Sequence, residues 1–521
     1  MENNKDSEVN TKIDYKKLVV ALLFPTVLCF IYCLLRKSSL FSLYVPNSIN
    51  NDCLFYYKQV EGILAYGMPR GFFGFNESHA LIGSLGAWSP VIYLPWVIWG
   101  RLFGWNYSSV LVSNLFCFSV SFGGFILLAK PKWREILFFG GSLILFPSVP
   151  IHFLNALPET ILASFMVIFF GLAFYYLKST KKRLFPVLLM TGIAVFLTLI
   201  RPYMVLLLFL PGYCAVKRRS TVGVCFIILA GIASLAGYVF LNRYFTAPYF
   251  SELYDLTALN YLKQGKITDS LRYMKKTAFR VLPEMGVFIK GAFGYGLTAG
   301  TQYMVTVFSA VGSTILCFGK KNERVRAVNL CFAGTATVLL AAIVLFLQKA
   351  NEGGRHVWVF ALTGILILCF NEWGIKAVVL RAGLLFMLIF FIFRGSFIPT
   401  DYDIPVKNDE IKANVEYWNA AFAKKNAVPT GEDTYRNTVI WVLTDEVDGQ
   451  YVVTDHRELF GIPKGMGINC CLESYVKDNF KDIKCNYVAS PSGGDISKLC
   501  EEHGLEEIGR TSNVVIYSAY P

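Results

Sequence analysis

YKKLVVALLFPTVLCFIYCLLRK, residues 15–37, decides the fold. Between Lys16-Lys17 and Arg36-Lys37 runs an almost purely apolar segment from Leu18 to Leu35, enough for a helix across a hydrocarbon core of about 30 Å. No small-residue cleavage site follows, so the segment reads as an uncleaved anchor. Similar runs recur near 88–104, 107–129, 136–155, 158–177, 184–200, 202–216, 221–242, 297–318, 327–348, 356–371 and 375–394. The whole chain agrees. Of 521 residues 55% are apolar and 16% charged, mean hydropathy is +0.48, and a soluble enzyme carries about 25% charged residues. Aromatics alone make up 16%, as expected where rings anchor helices at two interfaces. The sequence predicts an all-α polytopic membrane protein with about 11–13 transmembrane helices.

The net charge of +13 is unevenly spread. Residues 1–17 hold four bases and four acids, 18–395 hold 33 and 12, and 396–521 hold 12 and 20. The basicity therefore belongs to the membrane module, in short runs at helix ends, and no soluble basic face for nucleic acid exists. This divides the chain into a cytoplasmic segment 1–17, a membrane module 18–395 and an extracytoplasmic domain 396–521. In the last, NTVIWVL, QYVVTD, CNYVAS and NVVIYSAY read as strands and DISKLCEEHGL as a short amphipathic helix ended by Gly504, giving a small α/β domain. Of 13 cysteines, nine lie before residue 396, mostly in apolar runs. The other four, Cys470, Cys471, Cys485 and Cys500, permit disulfides in an oxidising compartment.

Bases in short loops set orientation. The clusters at Lys130/Lys132/Arg134, Lys178 to Arg183, Lys217/Arg218/Arg219 and Lys320 to Arg326 should be cytoplasmic. The outer side then receives 37–87, 155–159, Arg201-Pro202, 243–296, NEGGRH (351–356) and the tail. A multi-pass plasma-membrane protein with a cytoplasmic amino terminus follows. One count conflicts: two crossings between Ala87 and Lys130 would put the Lys130 cluster outside, unless 88–104 does not span. The outer segments 37–87 and 243–296 exceed simple connectors, and both place apolar residues at helical spacing among charges, as in interfacial helices. The second holds eight bases, Arg243 to Lys290, against four acids, suited to anionic lipid heads or to covering a phosphate.

The sharpest chemical feature is Asn51-Asp52, in VPNSINNDCLFYYKQVEGILAYGMPRGFFGF (45–75). A carboxylate at the outer end of a membrane helix is placed to take a proton from an acceptor hydroxyl. Asn and Asp also favour helix N-caps, and the roles are compatible. With Tyr56-Tyr57, the turn residues Gly67, Pro69 and Gly71, and WSPVIYLPWVIWGRLFG after them, the opening resembles GT-C superfamily membrane glycosyltransferases, such as protein O-mannosyltransferases and lipid A aminoarabinose transferases.

That resemblance implies many membrane helices, a first outer loop bearing the catalytic Asp, here Asp52, and an inverting transfer of sugar from a polyprenyl-phosphate donor. Tyr56 and Tyr57 would contact substrate. Many relatives have Asp-Glu where this chain has Asp52-Cys53, so it offers one acid there. Related transferases often open a late helix with Arg-Tyr, to which Arg355-His356 is similar.

Other candidates follow from chemistry. Arg201, in TLIRPYM between two apolar runs, should turn a hairpin at the outer surface, either snorkelling or binding the donor phosphate bidentately. In QKANEGGRHVWVF, Lys349, Arg355 and His356 flank Gly353-Gly354 before a helix. Glycines there would let backbone N–H groups approach a phosphate, while an ordinary interfacial turn is the alternative. Glu159, after Pro158 and near His152, complements a helix dipole or contacts sugar or acceptor. Glu77-Ser78-His79 reads as peripheral. A divalent cation is optional, since one Asp makes a poor metal cage. No Walker A, HExxH, GxSxG or dinucleotide fingerprint occurs. The expected function is transfer of a sugar from a polyprenyl-phosphate donor to a glycan, lipid or protein acceptor at the outer membrane face. The alternatives are a lipid-linked oligosaccharide flippase or polymerase, or a non-catalytic envelope protein.

Overall fold

A computed structural model of the chain describes residues 14–35, 40, 51–67, 74–77, 89–106, 108–155, 157–178, 184–245, 255–295, 298–318, 323–371, 374–396, 408–425, 435–443 and 456–519, some element ends, 51–55 among them, by backbone alone. The strand expected at QYVVTD lies outside these residues.

Helix α1 (Tyr15–Leu35) is the anchor and α2 (Asn51–Tyr66) the first interfacial helix. A short strand β1 (Gly74–Phe75) follows. Ser89 then starts a 3-10 turn, Pro90–Tyr93, that leads into α3 (Leu94–Phe103), ended by Gly104 at φ 83°. Ten residues rise only about 15 Å, and α3 is not among the described helices long and apolar enough to cross a membrane. Helix α4 (Ser109–Ala129) runs back to Lys130, and α5 (Trp133–Ile144) begins where the Lys17 ammonium lies 5.8 Å from the Trp133 ring. The start of α1 and the Lys130 cluster therefore share one end of the bundle.

The run expected over 136–155 breaks into α5 and α6 (Ser148–Phe153), Pro147 and Pro150 preventing one continuous helix. Then come α7 (Glu159–Lys178), α8 (Leu184–Ile200), a 3-10 segment Pro202–Leu208, α9 (Phe209–Lys217) and α10 (Thr221–Phe245). The long middle segment forms α11 (Thr257–Lys263) and α12 (Ile267–Tyr295). Helix α12 packs on α13 (Thr298–Cys317) and leaves Phe279, Leu282 and Val287 exposed, as an interfacial helix does. Helix α14 (Glu323–Ala342) ends in a π turn, Ile343–Leu347, before α15 (Ala350–Phe370) and α16 (Ile375–Phe391). Among the described residues seven helices are long and apolar enough to cross a membrane: α1, α4, α7, α10, α14 with its π turn, α15 and α16. Two shorter apolar helices cover Leu184–Ile200 and Pro202–Lys217. Helix α15 is buried along almost its whole length against α5, α7 and α13, which its all-round apolar surface requires. The protein is an integral membrane protein. At the basic end Lys178 donates to Ala129 O at 2.9 Å, and Arg381 closes α15 by donating to Leu368, Cys369 and Asn371 carbonyls at 2.9, 3.0 and 2.6 Å.

The tail contributes α17 (Asn408–Lys424), β2 (Thr438–Leu443), a 3-10 turn His456–Gly461, β3 (Gly467–Leu472), α18 (Glu473–Asp478), β4 (Tyr487–Pro491), α19 (Asp495–Glu502), β5 (Glu506–Arg510) and β6 (Val514–Ser518). As expected, a membrane module is joined to a small α/β domain. The sheet has six strands in the order β1-β3-β2-β4-β6-β5, with β1, β3, β2 and β4 parallel and β6 antiparallel to both its neighbours, β4 and β5. Strand β2 is apolar after Thr438 and buried throughout, because both faces are covered. Ile440 and Val442 meet α18 and α19, whereas Val439, Trp441 and Leu443 join the main core. Cys470, Cys471, Cys485 and Cys500 are buried free thiols.

Candidate active site

The end of the bundle opposite the basic clusters gathers the start of α7, the end of α8 and the start of α15, and the Pro90–Tyr93 turn touches both α8 and helix α2. Asp52 lies in the first turn of α2, and its side chain lies outside the described residues. One turn later, about 6 Å along the axis, Tyr56 packs 5.8 Å from Tyr93 and 6.0 Å from Trp96, while Tyr57 stacks at 5.4 Å on Trp105 and meets Phe460 edge-on. Both tyrosines are buried and fix the pose of α2. From Trp96 a polar chain runs inward: its Nε1 donates to Asn114 Oδ1 at 3.3 Å, and Asn114 Nδ2 donates to Asn155 O at 2.9 Å. Asn155 Oδ1 in turn accepts Leu157 N–H at 3.1 Å, just before Glu159.

Arg201 does turn a hairpin, with extended φ and ψ of −136° and 108° between α8 and the 3-10 segment. It is not at the surface as expected, for it has 0% exposure. Its Nη2 donates to Glu159 Oε1 at 3.4 Å, and Glu159 is itself buried. A guanidinium in an apolar bundle needs such a counter-ion. Arg201 and Arg355 both act electrostatically on buried His356, so three of the sequence candidates lie within charge range of one another. Lys349 stands at the rim, exposed, as the residue that caps α15.

The NEGGRH segment is not an outer loop or an open anion cradle. Residues 351–356 are the first turns of α15, and Gly353 N–H already donates to Lys349 O at 3.1 Å. A Cβ at Gly353 would stand 2.2 Å from Tyr303 Oη, and one at Gly354 would stand 3.3 Å from Ala299 Cβ. These glycines let α13 and α15 close on each other, and the gain in packing offsets their cost in a helix of about 1 kcal/mol each. Tyr303 uses the close approach to donate to Ala350 O at 2.8 Å.

Two contributors were hidden from the sequence. Trp358, fully buried, stacks on His152 with ring centroids 4.3 Å apart and planes within 6°. Its Nε1 has no hydrogen-bond partner among the described residues. His152 Nδ1 meets Ser148 O at 2.8 Å, and Thr160 Oγ1 donates to His152 O at 2.7 Å. Asp255 is the second. It accepts from Gln348 Nε2 at 2.7 Å, from Thr257 N–H at 2.9 Å and from the Tyr273 hydroxyl, while Arg280 donates to Gln348 Oε1. Burial opposes its ionisation, but the Tyr273, Thr257 and Gln348 donors outweigh it and bring its pKa to about 2. The described residues hold no group of three His, Cys, Asp or Glu side chains able to bind a metal ion, and the side chain of Asp52 is not among them.

Glu77 also departs from expectation. It is buried rather than peripheral, with carboxylate and backbone both bonded to the C-terminal domain.

No protein-family model matches the sequence and no curated protein matches it. Solved structures do. An oligosaccharyltransferase from Archaeoglobus fulgidus, tethered to an acceptor peptide containing the NVT sequon, aligns with a TM-score of 0.50 and 12% identity over 92% of this chain and 69% of that one. ArnT from Cupriavidus metallidurans, bound to undecaprenyl phosphate, aligns at 0.45 and 10% over 98% and 99%. At such identity the first likeness shows a shared fold, and the second adds nothing to it.

Proposed function

Starting from a GT-C-like membrane fold, we propose that this chain is an inverting glycosyltransferase. It moves a hexose or pentose from a polyprenyl-phosphate donor to a glycan, lipid or protein hydroxyl. By the positive-inside rule, the end carrying Lys130, Lys178 and Lys217 faces the cytoplasm and the C-terminal domain lies outside.

Asp52 takes the proton of the acceptor hydroxyl. The acceptor oxygen attacks the anomeric carbon from the face opposite the phosphate. The carbon–oxygen bond to phosphate breaks, the centre inverts, and the polyprenyl monophosphate departs with the added negative charge. Arg201, Arg355, His356 and Lys349 receive that charge. A divalent cation beside Asp52 is an optional addition. Glu159 balances the charge of Arg201 and holds it in place in the donor-free protein, while Tyr56 and Tyr57 hold α2 where Asp52 and acceptor can meet.

The observation that carries this reading is the buried Arg201–Glu159 pair with Arg355 and His356 around it. Membrane bundles do not keep such charge without a use. The test supplies purified protein with polyprenyl monophosphates carrying labelled hexoses and pentoses and follows loss of donor. Asp52→Asn should slow transfer on the order of 100-fold or more. Transfer at the wild-type rate by that variant ends Asp52's assignment, and loss of no donor from the panel by the wild type ends the enzymatic one.

A further inference from the structure

The membrane module and the tail share one sheet, and the shared strand comes from the loop that carries Asp52. Strand β1 pairs parallel with β3, Gly74 opposite Asn469 and Phe75 opposite Cys470. Immediately after it Asn76 and Glu77 both take left-handed backbone, φ 45° and 56°. Two such non-glycine residues in succession persist only where the surroundings over-determine them.

Here they do. The Glu77 carboxylate accepts Lys484 N–H at 2.7 Å, Cys485 N–H at 2.8 Å and the Tyr475 hydroxyl at 3.1 Å. Its own N–H donates to Asn469 Oδ1 at 3.0 Å, and its carbonyl accepts from Tyr435 Oη at 3.0 Å. Asn76 N–H donates to Cys470 O at 2.9 Å, and Asn76 Oδ1 accepts Leu472 N–H at 3.0 Å. Each of these partners belongs to the tail.

A second grip lies sixteen residues back, counted from Glu77 to Glu61. Lys58, on α2 and buried, places Nζ 3.1 Å from Glu61 Oε2 and donates to Ile462 O at 3.0 Å and Phe460 O at 3.5 Å. Phe460 lies within the tail's 3-10 turn and Ile462 directly after it.

We infer that Glu77 and Lys58 are positioning residues through which the C-terminal domain sets helix α2, and with it Asp52, relative to buried Arg201. This rests on Asp52 being the base. Helix α2 lies between α3 with the Pro90–Tyr93 turn on one side and the tail's His456–Gly461 turn on the other. Releasing the tail side frees it to shift, and a shift of about 1 Å can cost on the order of 100-fold in rate. A chemical role for Glu77 fits poorly, since two backbone N–H groups and a phenol already take three of the four lone-pair sites of its carboxylate.

Hydrogen exchange on the purified full-length protein, read beside donor consumption, decides the matter. Glu77→Ala should raise exchange in 51–77, leave β2 and β4 protected, and cut turnover at least about tenfold with undecaprenyl phosphate binding unchanged. Glu77→Gln should stay within about twofold of wild type. Its Oε1 still serves Lys484 and Cys485, and the Tyr475 hydroxyl can rotate to accept from the new amide. Lys58→Met with Glu61→Gln should repeat the Glu77→Ala pattern from the other grip and covers failure of that variant to fold. Unchanged exchange in α2 overturns the inference whatever Asp52 does, and so does raised exchange with full turnover. A Glu77→Gln as impaired as Glu77→Ala overturns it in favour of chemistry at the carboxylate. Should Asp52→Asn turn over normally, the base assignment falls alone and the grip is judged on exchange.

Discussion

Arg201 occupies the position where a membrane protein most needs a reason for a charge. With no exposed surface it cannot draw on water, so Glu159 supplies the opposite charge from 42 residues away in sequence. That separation explains what could be read beforehand. An arginine between two apolar runs is visible in the string and its hairpin follows from length, but no local spacing reports a partner brought in by helix packing. The exposure reading failed for that reason. Removing one member leaves the other buried and uncompensated, at roughly 3–5 kcal/mol, so Arg201→Ala alone should sharply lower the thermal unfolding temperature in detergent. Arg201→Met combined with Glu159→Gln removes both charges and should recover most of that stability while donor consumption stays at background. Recovery of transfer along with stability would reduce Arg201 to a structural role.

Among the elements, α11 and α12 form a platform tied to the break between α14 and α15. Asp255 N–H donates to Phe346 O at 2.9 Å within the π turn, and the Asp255 carboxylate holds Gln348, whose φ of 57° turns the chain toward Lys349 and α15. The two amphipathic helices were legible from spacing. The break was placed too late, because Gly353-Gly354 advertise a loop and only contact with Tyr303 and Ala299 shows why they are helical. The platform should respond to acid in a defined direction. The Asp255 pKa of about 2 lies below the ordinary 3.8, so its contribution is present above pH 3.8 and is lost as pH falls through about 2. Limited pepsin digestion between pH 4 and pH 2 should therefore show cleavage in 255–295 rising toward the lower limit. Asp255→Asn should be cleaved there already at pH 4, with a flatter pH dependence. Equal profiles for the two proteins would remove Asp255 as the tie.

On the scale of the whole molecule, the charge shift at residue 396 separates a basic module from an acidic tail, and the strands NTVIWVL, CNYVAS and NVVIYSAY were readable in the tail from apolar runs. Strands β3 and β5 were not, since GINCCL lacks alternation and EEIGR carries three charges in five residues. Strand β1 could not be seen at all, because two residues have no period. Its consequence is that one face of the sheet, through Val439, Trp441, Ile468 and Cys470, joins the same apolar core as Tyr57, Tyr93 and Trp96. A tail built this way is a part of the module's packing and not a bead on a string. Cutting the chain between residues 397 and 407 and co-expressing the halves tests this directly. A tag on the membrane half should carry the tail through detergent extraction and size exclusion as one species, because the interface continues a hydrophobic core and adds the Lys58 and Glu77 bonds to it. Combining Glu77→Ala with Lys58→Met and Glu61→Gln should loosen that association, and a tail that elutes by itself as a folded monomer would show that the shared sheet is dispensable.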